Sequence, residues 1–170
     1  HALNNGIDTS TIAQFRQRYN PNLRACNILF IGRLIEKTQL SLLFEAIETL
    51  SNPNLKLHII GDGDMRYDLE AMSELMGISN KIIWYGDLRA EEEISRVANE
   101  CAILAYPGAV GLALLHAMAY GLPSIIHSDL RYHGPEAICL GAPENGSTFE
   151  RGSAQDLARA IDVSLAAPSL

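Results

Sequence analysis

The chain contains no run of about 18 apolar residues, the length a membrane-crossing helix requires, and no signal-peptide pattern. It is therefore read as a piece that neither spans a membrane nor carries an export signal. Cysteine is scarce. Cys26, Cys101 and Cys139 are far apart and odd in number, which fits neither a disulfide framework nor zinc-ligand spacing and suggests a reducing compartment. Cys26 and Cys101 read as small buried hydrophobes on strands. Positive charge is also short: 13 Lys and Arg stand against 20 Asp and Glu, a net charge of −7. Without a basic footprint, nonspecific nucleic-acid binding is not expected. The first strand is followed by Gly32-Arg33-Leu34 and lacks the Gly-x-Gly-x-x-Gly fingerprint, which disfavours a dinucleotide oxidoreductase. Internal repeats and low-complexity stretches are absent.

What is present is a globular composition, 48% apolar and 19% charged over 170 residues, enough for one domain with a buried core. Strand and helix patterns alternate. Asn27 to Ile31, Leu55 to Ile60, Lys81 to Tyr85, Cys101 to Tyr106 and Ser124 to His127 read as strands, and Phe149 marks a short sixth. Between them, Leu40, Leu43, Phe44, Ile47 and Leu50 follow helical spacing, as do Met65, Leu69, Met72 and Met76. Residues 90–99 read as an acidic-to-polar helix with Ile94, Val97 and Ala98 inward, and a last helix carries Leu157, Ile161 and Leu165. This order implies an open, doubly wound, Rossmann-like parallel sheet of about six strands. Ligands of such sheets sit at the carboxyl ends of the strands, where the glycine turns fall.

Residues 108–128 read as a glycine loop, a short apolar helix, a Gly-Leu-Pro turn and a buried strand. A helix opening from a glycine loop offers unpaired N–H groups and a positive dipole end to an anion. Side chains within its first two turns then reach whatever the anion is attached to.

Several segments, in order, resemble one family. They are Asn5-Gly6-Ile7-Asp8, Gly32-Arg33-Leu34, Gly61-Asp62-Gly63, Tyr85-Gly86-Asp87-Leu88, Ala117-Met118-Ala119-Tyr120-Gly121-Leu122-Pro123, and Gly134-Pro135-Glu136 with Asn145-Gly146. Together they resemble the C-terminal, donor-binding lobe of a retaining family 4 (group 1) glycosyltransferase of the two-lobe GT-B type. Three positions depart from its pattern. The two glutamates separated by seven residues become Gly108 and His116, and the usual lysine becomes Thr38, with Lys37 one place early. The Gly/His form resembles a variant subgroup among bacterial surface-polysaccharide enzymes.

The resemblance implies a role for each candidate residue, and each also has a bland explanation. Arg33, after the strand-end Gly32, is the first choice to grip diphosphate oxygens and stabilise the leaving group; otherwise it is a surface arginine. Lys37 is a second cation or a solvated lysine, and Thr38 would offer the phosphate only a hydroxyl. The amides of Val110, Gly111 and Leu112 are expected to face diphosphate and sugar, the alternative being a plain tight turn. His116 is expected to orient the ribose hydroxyls, where an isolated histidine would be a satisfied core residue. The backbone of Gly86, Asp87 and Leu88 is expected at the nucleobase. Gly108 either opens room for a different sugar or acceptor group or is a turn glycine. His127 and Asp129 are second-tier candidates for the sugar end, or a strand-end hydrogen-bonded pair. Glu136, with His133, joins them or serves a helix cap. Asp62 and Asp64 read as complements to a helix dipole, not as metal ligands.

Residues 1–20 are expected to form an interlobe hinge and lead-in, and residues 21–170 the nucleotide-sugar-binding domain. Both ends suggest one lobe cut from a longer protein: His1 to Ile7 has no partner element, and nothing follows Pro168-Ser169-Leu170. The resemblance implies an NDP-sugar donor, no metal or other cofactor, and transfer to an acceptor hydroxyl in surface-polysaccharide synthesis. The remaining partner is an N-terminal acceptor lobe, without which this lobe is expected to be inactive. The expected location is the cytoplasm at the inner face of the membrane, with membrane contact only through the absent lobe. A non-catalytic lobe for assembly or sugar sensing remains an alternative. A nucleotide-sugar epimerase ranks third, because Glu136 is the only obvious cleft carboxylate.

Overall fold

The computed structural model describes residues 9–15, 26–141 and 145–166. The tetrapeptide Asn5 to Asp8 and both chain ends lie outside them. Six described strands form one parallel sheet: β1 (Asn27–Ile31), β2 (Lys56–Ile60), β3 (Ile82–Gly86), β4 (Ile103–Tyr106), β5 (Ser124–His127) and β6 (Gly146–Phe149). The helices are α1 (Thr9–Phe15), α2 (Leu40–Thr49), α3 (Arg66–Leu75), α4 (Glu91–Asn99), α5 (Leu112–Ala119) and α6 (Ala154–Ala166).

The strand order β3-β2-β1-β4-β5-β6 follows from right-handed crossovers. The chain winds outward through β2 and β3, then crosses back by α4 to place β4 beside β1. The reversal puts α2, α3 and α6 on one face and α4 and α5 on the other. The doubly wound sheet expected from the alternation is therefore observed.

Sidedness explains the core. The middle of β1 is fully buried, as are all four residues of β4 and of β5, as strands covered on both faces should be. The expected helical faces are in place: Leu40, Leu43, Phe44 and Ile47 in α2, Ile94, Val97 and Ala98 in α4, Leu157 and Ile161 in α6. Met65, Met72 and Met76 pack at the edge of the core around buried Leu69. Cys101 is buried but lies between α4 and β4, donating to the Val97 carbonyl, and half-buried Cys26 precedes β1. Neither sits within a strand.

Helix α1 lies within residues 1–20, the stretch expected as hinge and lead-in, and it contacts the body of the domain. Helix α1 packs on α4 and α5, Ile12 is buried in the common core, and the Phe15 carbonyl accepts a hydrogen bond from Asn99 Nδ2 at 2.9 Å.

Candidate functional site

The sheet reverses between β1 and β4, and at that point the loops beyond the strands cannot close over one another by ordinary crossovers, which leaves a crevice. Glycines stand at the carboxyl ends of β1 and β2, where backbones meet. A Cβ on Gly61, which has φ +137°, would fall 1.9 Å from the Gly32 carbonyl oxygen, and one on Gly32 would fall 2.8 Å from the Tyr106 hydroxyl. Backbone hydrogen bonds tie the turns in series: Gly32 N–H to Ile60, Gly61 N–H to Gly86, and Leu34 N–H to Asp62. Beside the point of reversal, at the carboxyl ends of β1, β2 and β3, lies a cleft of about 220 Å³ lined by Gly32, Arg33, Gly61, Asp62, Asp87 and Leu88, with Ile31 and Ile60 at its base. Three turns widely separated in sequence thus share one concavity.

Arg33 is exposed at this cleft, and among the described residues its guanidinium has no ion-pair partner. A guanidinium with no ion pair, beside exposed backbone, is suited to phosphate oxygens. Lys37 is also exposed, in the short 3₁₀ turn Glu36–Thr38 before α2. Tyr106, stacked on Phe30 with ring centroids 5.0 Å apart, forms the floor beneath Gly32. Burial pushes its hydroxyl up to about 12, so it stays protonated. Nothing in the sequence pattern pointed to Tyr106.

Two of the departures turn out to be one feature. Gly108 is buried, and a Cβ there would sit 2.2 Å from the Lys37 carbonyl oxygen and 2.7 Å from Thr38 Cα. The Lys37–Thr38 backbone occupies that space, so Gly108 opens no room for a larger sugar. The same turn is locked by Thr38, whose buried hydroxyl reaches the carbonyls of Ile35 at 2.7 Å and Arg33 at 3.1 Å. That hydroxyl is committed to the backbone and does not face a phosphate. The Ala109 N–H to Lys37 carbonyl bond, 3.3 Å, completes the junction.

The amides at the start of α5 differ from expectation at one position. Val110 N–H donates to His133 Nδ1 at 3.1 Å, while His133 Nε2 lies 2.8 Å from the His127 carbonyl oxygen. This pattern assigns the ring proton to Nε2 and removes the Val110 amide from the ligand-binding set. The opening of α5 therefore rests on Gly111 and Leu112, which precede its first intrahelical bonds. A Cβ on Gly111 would meet nothing within 4 Å, so a ligand can approach closely there. Glu136 stands beside this loop: a Cβ on Gly134 would fall 2.3 Å from its Oε2 and 3.3 Å from Gly111 Cα. Glu136 and His133 thus flank the glycine loop, and His133 acts as a staple for it.

His127 and Asp129 do not form a hydrogen-bonded pair, and neither opens onto the cleft as a free group. His127 is buried under His133, with ring centroids 3.8 Å apart, and its Nδ1 has no partner. Desolvation, with His133 and Arg151 nearby, holds its ring at about 4 against the ordinary 6.5. Asp129 is engaged by Arg131 at 2.9 Å and Arg151 at 3.8 Å, and hydrogen bonding to Arg131 lowers its carboxyl pKa.

His116 lies one turn inside α5, partly exposed and stacked on Tyr120. Its Nε2 is 3.1 Å from Glu91 Oε1, and the Tyr120 hydroxyl donates to the same oxygen. Sequence reading treated residues 90–99 only as an acidic helix. The three glutamates opening α4 look alike in sequence, and the packing of α4 beside α5 singles out Glu91.

Comparison with known proteins agrees with this architecture. The family model for glycosyl transferases group 1 matches residues 11–169. The lipopolysaccharide 1,6-galactosyltransferase of Salmonella typhimurium is 32% identical over 134 residues, covering 75% of this chain and 36% of that protein. The apo structure of the lipopolysaccharide outer core galactosyltransferase WaaB superposes with a TM-score of 0.72 at 25% identity, over 82% of this chain and 40% of the other. Anabaena HepE in complex with UDP and glucose gives a TM-score of 0.72 at 21% identity, over 95% of this chain and 46% of the other. The chain spans about a third of the length of the Salmonella relative. With its six-stranded parallel sheet and its strand-end glycine turns in family order, the chain belongs to the group 1 glycosyl transferases.

Proposed function

We propose that this chain is the nucleotide-sugar-binding lobe of a retaining glycosyltransferase that acts in bacterial surface-polysaccharide or glycoconjugate synthesis. The observation that carries this reading is the convergence of Arg33, Asp87 and Leu88 on one cleft at the carboxyl ends of β1, β2 and β3, beside the point where the strand order reverses. Lipopolysaccharide transferases among the relatives support the pathway class, and HepE, bound to UDP, makes UDP the first nucleotide to test.

In this reading the donor's diphosphate lies between the Arg33 guanidinium and the amides of Gly111 and Leu112. Those groups stabilise the charge that develops as the bond from the anomeric carbon to the phosphate oxygen breaks. The acceptor hydroxyl bonds to the same carbon from the same face and gives its proton to the departing phosphate. The transfer balances without a residue acting as nucleophile and without a metal. His116 orients the ribose, the backbone near Asp87 and Leu88 holds the base, and Glu136 borders the sugar end. The acceptor-binding lobe is supplied by a further domain, which carries any contact with the inner membrane surface, and this lobe alone turns nothing over.

One observation favours a second reading, a lobe kept for assembly or sugar sensing. The space at Gly108 is filled by backbone and the Thr38 hydroxyl is committed, so two family contacts to the donor are gone. Calorimetric titration with UDP, GDP and ADP decides between them. Binding of one nucleotide, weakened about tenfold in Arg33→Ala, supports the donor site. A folded chain that binds none of the three supports the second reading.

A further inference from the structure

Glu91 is the first residue of α4 and follows the Asp87–Leu88 turn that lines the cleft. One of its carboxylate oxygens, Oε1, receives the Tyr120 hydroxyl and faces His116 Nε2 at 3.1 Å. Tyr120 is buried, and burial together with the bond to Glu91 raises its pKa. The phenol therefore remains a donor and cannot take a proton from the imidazole. With Glu91 accepting at Oε1, a neutral His116 places its proton on Nε2, and Nδ1 is left as a lone-pair acceptor. Among the described residues Nδ1 has no hydrogen-bond partner. The ring is held flat by its stack on Tyr120, centroids 5.6 Å apart and planes 18° from parallel. His116 therefore has one orientation, held by Tyr120 at the end of its own helix, and in its neutral form one bonding polarity, set by Glu91 from the neighbouring helix.

We propose that Glu91 is a positioning residue: through His116 it presents a fixed acceptor to a hydroxyl of the bound nucleotide's ribose. The inference rests on the donor-site reading above. His116 is four positions along α5 from its first residue, about 6 Å of helix rise. An anion seated at the start of α5 would carry its attached group past that point. A fixed acceptor discriminates sharply between a ligand that has the hydroxyl and one that lacks it. A carboxylate retained for folding alone would not.

The test measures the ratio of affinities for a ribonucleotide and its 2′,3′-dideoxy counterpart, by titrating the chain with UDP, GDP and ADP and with the dideoxy form of whichever binds. The native chain is expected to prefer the ribonucleotide by about tenfold, the worth of one hydrogen bond to a well-held acceptor. In Glu91→Ala the ribonucleotide weakens toward the dideoxy form, dideoxy binding stays as it was, and adding His116→Ala causes no further loss. If Glu91→Ala melts early, Glu91→Gln, which keeps an acceptor oxygen, should retain the preference, and His116→Phe, which keeps the stack, should abolish it. Equal weakening of both nucleotides, or an unchanged ratio in a folded His116→Phe, overturns the proposal while leaving the donor site standing. A native chain that binds none of the three nucleotides overturns both readings.

Discussion

The β1 wall of the cleft and the opening of α5 are built by different means. On the β1 side, backbone meets backbone: Gly61 against Gly32, and Gly108 against the Lys37–Thr38 turn. On the α5 side, side chains meet across helices and loops: Glu91 with His116 and Tyr120, and His133 with Val110 and His127. The first construction tolerates no added atom, because the neighbouring backbone is tied into the sheet and cannot step aside. The second is a set of replaceable hydrogen bonds. Added atoms at the glycines of the β1 wall should therefore act on folding, and loss of exposed or partly exposed side chains, Arg33 and His116 among them, on what is bound.

The most severe test of that contrast is Gly108→Glu, which restores the family's carboxylate. Its Cβ alone collides with the Lys37 and Thr38 backbone. A loss of about 3 kcal/mol or more is expected in urea unfolding, at or beyond the upper end for overpacking, with no gain in nucleotide affinity. A well-folded variant that binds nucleotide more tightly would show that the β1 wall yields after all.

Acid should weaken the molecule next. Desolvation, assisted by Lys56, holds buried His58 at about 4, and His127 is held at about 4 as well. The unfolded chain takes up these protons near 6.5 and the folded chain only near 4. Stability is therefore complete above pH 6.5 and declines as the pH falls toward 4. Each histidine contributes on the order of 2 kcal/mol of that decline by pH 4.5. Denaturant midpoints measured across this range should show the slope, and His127→Phe should flatten about half of it.

Arg33→Ala sharpens the comparison from the ligand's side. The side chain is exposed and unpaired among the described residues, so the melting temperature should stay within a degree or so while nucleotide affinity falls about tenfold, the worth of a charge-assisted contact. An equal fall in stability would make Arg33 part of the frame. The smallest effect is expected for Thr38→Val, which keeps the buried shape and removes the hydroxyl bonded to Arg33 and Ile35. It should cost about 1 kcal/mol, read as a small shift in the urea midpoint.

Much of this molecule was legible from its residues alone. Strand β1 from Asn27 to Ile31, strand β5 from Ser124 to His127, the inward faces of α2 and α4, and the glycine turns at one sheet edge all follow from local pattern. A strand-forming run, a helical period and a turn glycine are properties of a few adjacent residues, and the handedness of crossovers then leaves few ways to arrange them. Membership of the group 1 glycosyl transferases was legible on the same basis, because the family's motifs mark those turns in order.

Tertiary structure decided which groups are free to act. Sequence alone could place Thr38 and Gly108 at the same sheet edge but could not show that the Lys37–Thr38 backbone fills the space beside Gly108. It could propose the Val110 amide as a phosphate donor, yet His133, 23 positions away, consumes it. It could nominate His116, but Glu91, 25 positions away on another helix, settles that ring's bonding partner. Such pairings depend on how crossover helices lie beside one another across the sheet. That geometry is set by the packing of the whole core, and no local pattern encodes it.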